Sequence, residues 1–63
     1  MKLNRSRIEI LKAREAITSK ELAERYGCTI SRINTIIRMG NVRTDTAGKL
    51  ARALNCDVTE IIE

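Results

Sequence analysis

The chain has 63 residues, with 12 Lys and Arg against 8 Asp and Glu, which gives a formal net charge of +4. This length allows one small domain over residues 1–63, and the single aromatic residue excludes the aromatic platforms on which single-stranded nucleic acid stacks. The chain has no histidine and only two cysteines, which excludes a zinc site, and it offers no acid–base pair for an active site. We therefore expect neither an enzyme nor a bound metal or other cofactor.

Positive charge is concentrated in the first two thirds of the chain. Residues 1–43 hold ten Lys and Arg and four Asp and Glu, a balance of +6, whereas residues 44–63 hold two and four, a balance of −2. This asymmetry favours a polyanionic partner, with an ordinary solvated surface as the alternative interpretation. Lys2, Arg5 and Arg7 are expected to be solvated. No signal peptide or long apolar run is visible, which predicts a cytoplasmic protein without membrane contact.

The spacing of apolar residues predicts an all-α fold of five helices. In chain order, the predicted helices are Asn4 to about Arg14, Ser19 to Tyr26, Ile30 to about Arg38, a helix capped by Thr44 or Asp45 that runs to Leu54, and a short one opened by Asp57 or Thr59. The predicted buried residues are Ile8, Leu11, Ile17, Leu22, Ala23, Tyr26, Ile33, Ile36, Ile37, Leu50, Ala51 and Leu54. Asn55 is a plausible left-handed stop for the fourth helix. Cys28 and Cys56 are interpreted as buried free thiols.

The segment that joins helices two and three is the most informative part of the sequence. Thr18 and Glu21 form an S/T-x-x-E capping box that starts helix two. Gly27 can adopt the left-handed conformation that ends this helix, and Thr29 can cap the next one. Ala23 is small enough for the two helices to cross closely. Together these features are the layout of a helix-turn-helix, which presents its second helix to the DNA major groove.

The apolar residues at the C-terminus allow two interpretations. Val58, Ile61 and Ile62 can close the core under helices one and four, or they can build a two-fold contact between copies. Because a short helix cannot turn all three side chains inward, we expect one of them to be exposed.

These patterns resemble the lambda-repressor-like, Cro/Xre-type helix-turn-helix DNA-binding domains over nearly the whole chain. The matching segments are Ile8-x-x-Leu11, Ile17 to Ala23, Gly27-Cys28-Thr29, Ile33-x-x-Ile36 and Leu50 to Cys56, while Val42 to Thr46 and Asn55 to Glu63 resemble a compact Xre subgroup. The resemblance implies a compact five-helix fold, sequence-specific binding to double-stranded DNA, and regulation of transcription, most often repression.

Three positions depart from the family pattern. Ser19 stands where the family often has a DNA-contacting glutamine at the start of helix two. Ile37 replaces an acidic residue that many relatives pair with a basic residue of helix one, so Lys12 is expected to be solvated. Gly40 comes one place later than the usual loop glycine, which leaves the conformation of the turn between helices three and four open.

The resemblance implies that Ile30, Ser31, Arg32 and Thr35 read bases from helix three. Arg32 could hold a guanine through two hydrogen bonds, and the methyl groups of Ile30 and Thr35 could contact a thymine methyl. The alternative is that all four are solvated surface residues. An isoleucine at a solvent-facing helix start is unusual, which favours the contact.

Phosphate contacts are expected from Ser19, Lys20, Arg38, Asn41 and Arg43. A hydroxyl beside the free backbone N–H groups at the start of helix two suits a phosphate oxygen. The alternative for the charged members of this set is ordinary solvation.

The sequence thus predicts a transcriptional regulator that binds a pseudo-palindromic duplex site as a homodimer, without a small-molecule ligand. The competing hypothesis is a protein-interaction module, such as an antitoxin-type regulator, that binds DNA only secondarily. A titration with random and genomic duplexes distinguishes the two, because only the regulator prefers a specific site.

Overall fold

The computed structural model describes residues 1–63 and confirms the all-helical class. Its elements are four α-helices, α1 (Arg5–Glu15), α2 (Ser19–Tyr26), α3 (Ile30–Met39) and α4 (Thr44–Ala53), followed by one 3-10 helix, η1 (Val58–Glu60). None of the helices has the length and apolar character needed to cross a bilayer.

The predicted count of five helices is not confirmed, because the structure has four α-helices and the short last element, opened by Asp57 as expected, is a single 3-10 turn. Asp57 and Glu60 form a capping box that closes this turn over only three residues. The Glu63 N–H then donates to the Lys2 carbonyl at 2.9 Å instead of to a carbonyl within the turn, so the helix does not continue.

Side-chain capping bonds fix the N-terminal starts of α2 and α3 at the predicted residues. The Thr18 and Thr29 hydroxyls accept the backbone N–H groups of Glu21 and Arg32 at 3.2 and 3.1 Å. The reciprocal half of the Thr18 capping box, from the Glu21 side chain, does not form. Gly27 ends α2 with a φ of 94°, in the left-handed region that glycine tolerates.

The start of α1 shifts by one residue, and α4 begins at Thr44, near the predicted start, but without either predicted cap. Asn4 is the cap of α1 rather than its first residue, since its side chain accepts the N–H of Arg7 at 3.1 Å. Arg43 is the cap position of α4 and makes no side-chain capping bond, so neither Thr44 nor Asp45 caps that helix. Both lie inside its first turn, where the negative charge of Asp45 is favourable beside the helix N-terminus.

The predicted core forms where α1 to α4 meet. Ile8, Leu11, Leu22, Ile33 and Leu50 are completely buried. Among the remaining predicted core residues, Tyr26 is only half-buried against the cluster. Asn55 is left-handed with a φ of 56°, as expected of a residue that stops α4.

Two further expectations about the burial of side chains are wrong. Cys28 and Cys56 are free thiols, but each is only half-buried, because both follow helix ends at the edge of the core. None of the three C-terminal apolar residues is exposed: Ile61 is completely buried, while Val58 and Ile62 are partly buried against the core. This is possible because the backbone leaves the helix after η1, where Ile62 bridges to Leu3, so the three side chains are not bound to the spacing of one helix face.

The N-terminal residues 1–3 form a short strap that the sequence does not predict. Isolated antiparallel bridges join Lys2 to Asn41 on one side and Leu3 to Ile62 on the other. The Leu3 N–H donates to the Gly40 carbonyl at 2.6 Å, and the Leu3 side chain is only 2% exposed. The strap therefore ties the turn between α3 and α4 to the end of the chain.

Candidate nucleic-acid interface

The helix-turn-helix unit is held rigidly at its turn. The backbone N–H groups of Gly27 and Cys28 both donate to the Ala23 carbonyl, at 2.8 and 2.9 Å. Ala23 is 2% exposed, so its small side chain lies where α2 and α3 cross. On α3, Ile33 and Ile36 are buried, which fixes the opposite face of this helix toward solvent.

Three of the four predicted base-reading residues, Ser31, Arg32 and Thr35, lie on this outward face of α3, and Ile30 is the first residue of the helix. Ser31 and Arg32 are exposed, and Ile30 is 43% exposed although its side chain is apolar. Thr35 is half-buried, and its hydroxyl donates to the Ser31 carbonyl at 2.8 Å. Because that proton is used within the helix, the methyl group of Thr35 is the part suited to a base contact.

A cleft of about 440 Å³ separates α3 from the start of α4. It brings together two predicted base readers and two predicted phosphate contacts. We call it the α3–α4 cleft; its lining residues are Arg32, Thr35, Ile36, Met39, Asn41, Val42, Arg43, Asp45 and Thr46. Gly40 permits this arrangement, since it ends α3 with a φ of 75° and turns the chain toward Asn41.

Two lining residues of the α3–α4 cleft were missed by the sequence reasoning. Met39 is 72% exposed and follows Arg32 and Thr35 on the same side of α3, at spacings of seven and four residues. That spacing is the feature of the sequence from which Met39 could have been predicted to line the cleft. Asp45 carries a carboxylate into the cleft, and its Oδ1 accepts the Thr46 N–H at 2.9 Å. Reading Asp45 as a helix cap concealed this position.

The remaining predicted phosphate contacts lie outside the α3–α4 cleft. Ser19 and Lys20 form the first turn of α2, where Ser19 is half-buried and Lys20 is exposed. Arg38 lines a separate cavity beside the N-terminal strap, together with Lys2 and Arg5. The structure thus divides the predicted site into three groups: the α3 face with its cleft, the start of α2, and the strap side of α3.

Lys12 is the main correction at this surface. Its ammonium Nζ donates to Ser19 Oγ at 3.0 Å and lies 3.7 Å from Glu9 Oε1, and its side chain is only 15% exposed. The expectation that it is solvated is wrong. With the apolar Ile37 offering no carboxylate, the ammonium turns instead to the hydroxyl at the start of α2. Lys12 thereby adds a positive charge to the predicted phosphate position.

Ion pairs divide the positive side chains into two classes. Five of them pair with carboxylates: Lys2, Arg7, Lys12, Arg14 and Arg25. The other seven of the 12 have no such partner: Arg5, Lys20, Arg32, Arg38, Arg43, Lys49 and Arg52. All four cations predicted to contact DNA belong to the second class. Arg7, by contrast, is not merely solvated, since its Nε also donates to the Glu60 carbonyl at 3.2 Å.

Two titratable groups beside η1 are shifted. Hydrogen bonds from the Thr59 hydroxyl and the Thr59 N–H lower the pKa of Asp57 below its ordinary value of 3.8. Burial raises the pKa of the Cys56 thiol above 9.0, and the charges of Glu60 and Asp57 raise it further. No group of three or more His, Cys, Asp or Glu side chains is placed to hold a metal ion.

Comparison with known proteins agrees with this geometry. A family model described as the Cro/C1-type HTH DNA-binding domain matches residues 7–63, which include all four α-helices except the first two residues of α1. No curated protein and no solved structure matches the chain. The family description indicates DNA binding and a part in transcription regulation. The resemblance that the capping residues, the turn glycine and the apolar spacing suggested is therefore confirmed, and the chain belongs to the family of Cro/C1-type HTH DNA-binding domains.

Proposed function

We propose that this protein is a sequence-specific repressor that binds duplex DNA by placing α3 in the major groove. One observation carries the proposal. Every cation expected at the interface, namely Lys20, Arg32, Arg38 and Arg43, lacks a carboxylate partner, whereas four of the eight acidic residues pair with other cations. Unpaired cations around an exposed helix are suited to phosphates, whose neutralisation releases counterions and drives binding.

Base reading falls to the outer face of α3. The Arg32 side chain is exposed and makes no hydrogen bond within the protein, so its full fork of donors is available for the O6 and N7 atoms of guanine. Ile30 and the Thr35 methyl offer apolar surface to thymine methyl groups. Ser31 can donate or accept and adds a less selective contact.

Phosphate contacts on both sides of α3 fix its depth and register. The start of α2 combines the Ser19 hydroxyl, the Lys20 ammonium and the positive end of the helix, with Lys12 held 3.0 Å from Ser19 Oγ. On the other side, Asn41 and Arg43 follow the turn that the N-terminal strap holds in place. Such contacts position the protein without reading sequence.

Two copies are proposed to act on one site. A single module reads roughly 4–6 base pairs on one groove face, so useful specificity needs two half-sites with centres about 10–11 base pairs apart. The C-terminal apolar residues offer limited surface for this contact, because Ile61 is completely buried and Val58 and Ile62 only partly accessible. The dimer is therefore expected to form on DNA. Bound to a promoter, it represses by occupying the site.

A duplex titration tests the proposal. If about four to six phosphates are neutralised per copy, the logarithm of affinity should fall against the logarithm of salt concentration with a slope near −4 to −5 per copy. A selected duplex should outcompete random duplex at moderate salt, with two copies bound at saturation. A slope near zero contradicts duplex binding, and saturation by one copy contradicts the paired arrangement.

A further inference from the structure

A second concave surface lies where the C-terminal ends of α1, α2 and α4 meet. It is an open cavity of about 540 Å³ that we call the Tyr26–Lys49 pocket. Its main lining residues are Glu15, Arg25, Tyr26, Lys49, Arg52 and Asn55. None of the residues expected to contact DNA belongs to this set.

The pocket carries more positive charge than its own acidic residue can satisfy. Glu15 is engaged by Arg25, whose Nη1 lies 3.1 Å from Glu15 Oε1 and also donates to the Ala53 carbonyl at 3.2 Å. Lys49 and Arg52 have no carboxylate partner. Of the cations that the proposed DNA interface leaves unused, these two share a single cavity.

The two free cations are positioned differently. Lys49 Nζ lies 4.7 Å from the centre of the Tyr26 ring, which holds the ammonium over a flat, half-buried apolar surface. Arg52 is in the last turn of α4 and exposed. Favourable interaction with the helix C-terminus accounts for the charge of Arg52. The two cations, three residues apart on α4, line the same pocket beside Tyr26.

The pocket is separated from the proposed DNA interface along two helices. α2 begins with Ser19 at that interface and ends with Tyr26 in the pocket, about 10 Å further along its axis. On α4, Lys49 lies about 8 Å beyond Thr44, which follows Arg43. The pocket therefore stays open to a second partner while α3 occupies the groove.

We propose that the Tyr26–Lys49 pocket binds an acidic segment of a partner protein. A carboxylate of the segment sits between the Lys49 ammonium and the Arg52 guanidinium, which can take both carboxylate oxygens. An adjacent apolar side chain of the segment covers the exposed edge of Tyr26. The charge surplus and the aromatic floor favour this occupant over a DNA phosphate, which brings no apolar group. The inference does not depend on DNA binding by α3.

A labelled peptide tests the proposal with a matched pair of variants. The probe is a short fluorescein-labelled peptide of alternating glutamate and leucine, with glutamine replacing glutamate in the control peptide. Binding is followed by fluorescence anisotropy for the unaltered protein, for the pocket variant Lys49→Gln/Arg52→Gln, and for the DNA-face variant Lys20→Gln/Arg43→Gln. Both variants remove two exposed cations, so their net charges are equal.

The acidic peptide should lose affinity on the order of tenfold in the pocket variant and should bind the DNA-face variant almost as well as the unaltered protein. Duplex DNA should show the opposite pattern, with a reduced salt slope only in the DNA-face variant. Equal loss of peptide binding in both variants would indicate general charge attraction and overturn the proposal. Equal binding of the glutamine peptide, or no saturable binding, would also overturn it. Failure of DNA binding alone leaves the peptide result intact.

Discussion

Replacing Arg32 and Arg43 separately by alanine tests how this surface divides base reading from phosphate binding. Both side chains are exposed, neither forms an ion pair, and neither donates a side-chain hydrogen bond within the protein. Their removal therefore costs little folding stability, so that changes in affinity report on DNA contacts. Arg32 lies in the first turn of α3, and Arg43 is the cap residue before α4, where we propose that it faces the DNA backbone.

The expected magnitudes follow from these positions. Loss of a two-pronged guanine contact by Arg32→Ala should cost on the order of 1–3 kcal/mol, or about 5- to 150-fold in affinity, on the cognate duplex only. Arg43→Ala should weaken cognate and scrambled duplexes about equally and reduce the magnitude of the salt slope by about one. The measurement is anisotropy with both duplexes at several salt concentrations, with circular dichroism as the control for folding.

One result would refute the placement of α3 as the reading helix. If Arg32→Ala weakens cognate and scrambled duplexes by the same factor, Arg32 contacts phosphate and sequence is read elsewhere. A sequence-selective loss in Arg43→Ala would similarly move base reading to the α3–α4 cleft, which both arginines line.

Three further outcomes follow from the fold. Leu3→Ala should lower the free energy of unfolding by about 2–5 kcal/mol in urea titrations, because Leu3 is 2% exposed; an unchanged midpoint would show that the strap adds nothing. Gly27→Ala should lower the free energy of unfolding by about 1–2 kcal/mol, because Gly27 has a φ of 94°. Gly48 lies inside α4 with open space around it, so Gly48→Ala should raise the free energy of unfolding by about 0.5–1 kcal/mol. Equal effects of the two changes would contradict the turn geometry. Hydrogen bonds lower the pKa of Asp57 below 3.8 in the folded protein. The stabilisation they give is present above that pH and is lost as the pH falls through the pKa of the folded state. Asp57→Asn should therefore make the free energy of unfolding depend less on pH on the acid side.

The sequence by itself determined the helix-turn-helix. Thr18 and Thr29 cap their helices through bonds to backbone groups three residues away, and Gly27 ends α2 by its own conformational freedom. These interactions are local, so their residues can be recognised in order along the chain. The apolar spacing likewise marked Ile33 and Leu50 as core, since one face of a helix repeats regularly.

Tertiary structure decided the features that join distant parts of the chain. Residues 1–3 pair with residues near positions 41 and 62, and three residues are too few to show a strand period. Lys12 meets Ser19 rather than solvent because the loop after α1 brings the start of α2 beside the last turn of α1. Which cations stay unpaired depends on where the carboxylates fall in space, as the meeting of Arg25 with Glu15 at 3.1 Å shows. Composition gives the number of cations. The folded chain decides which of them remain unpaired, because an ion pair depends on the distance between two charged groups and not on their order in the sequence.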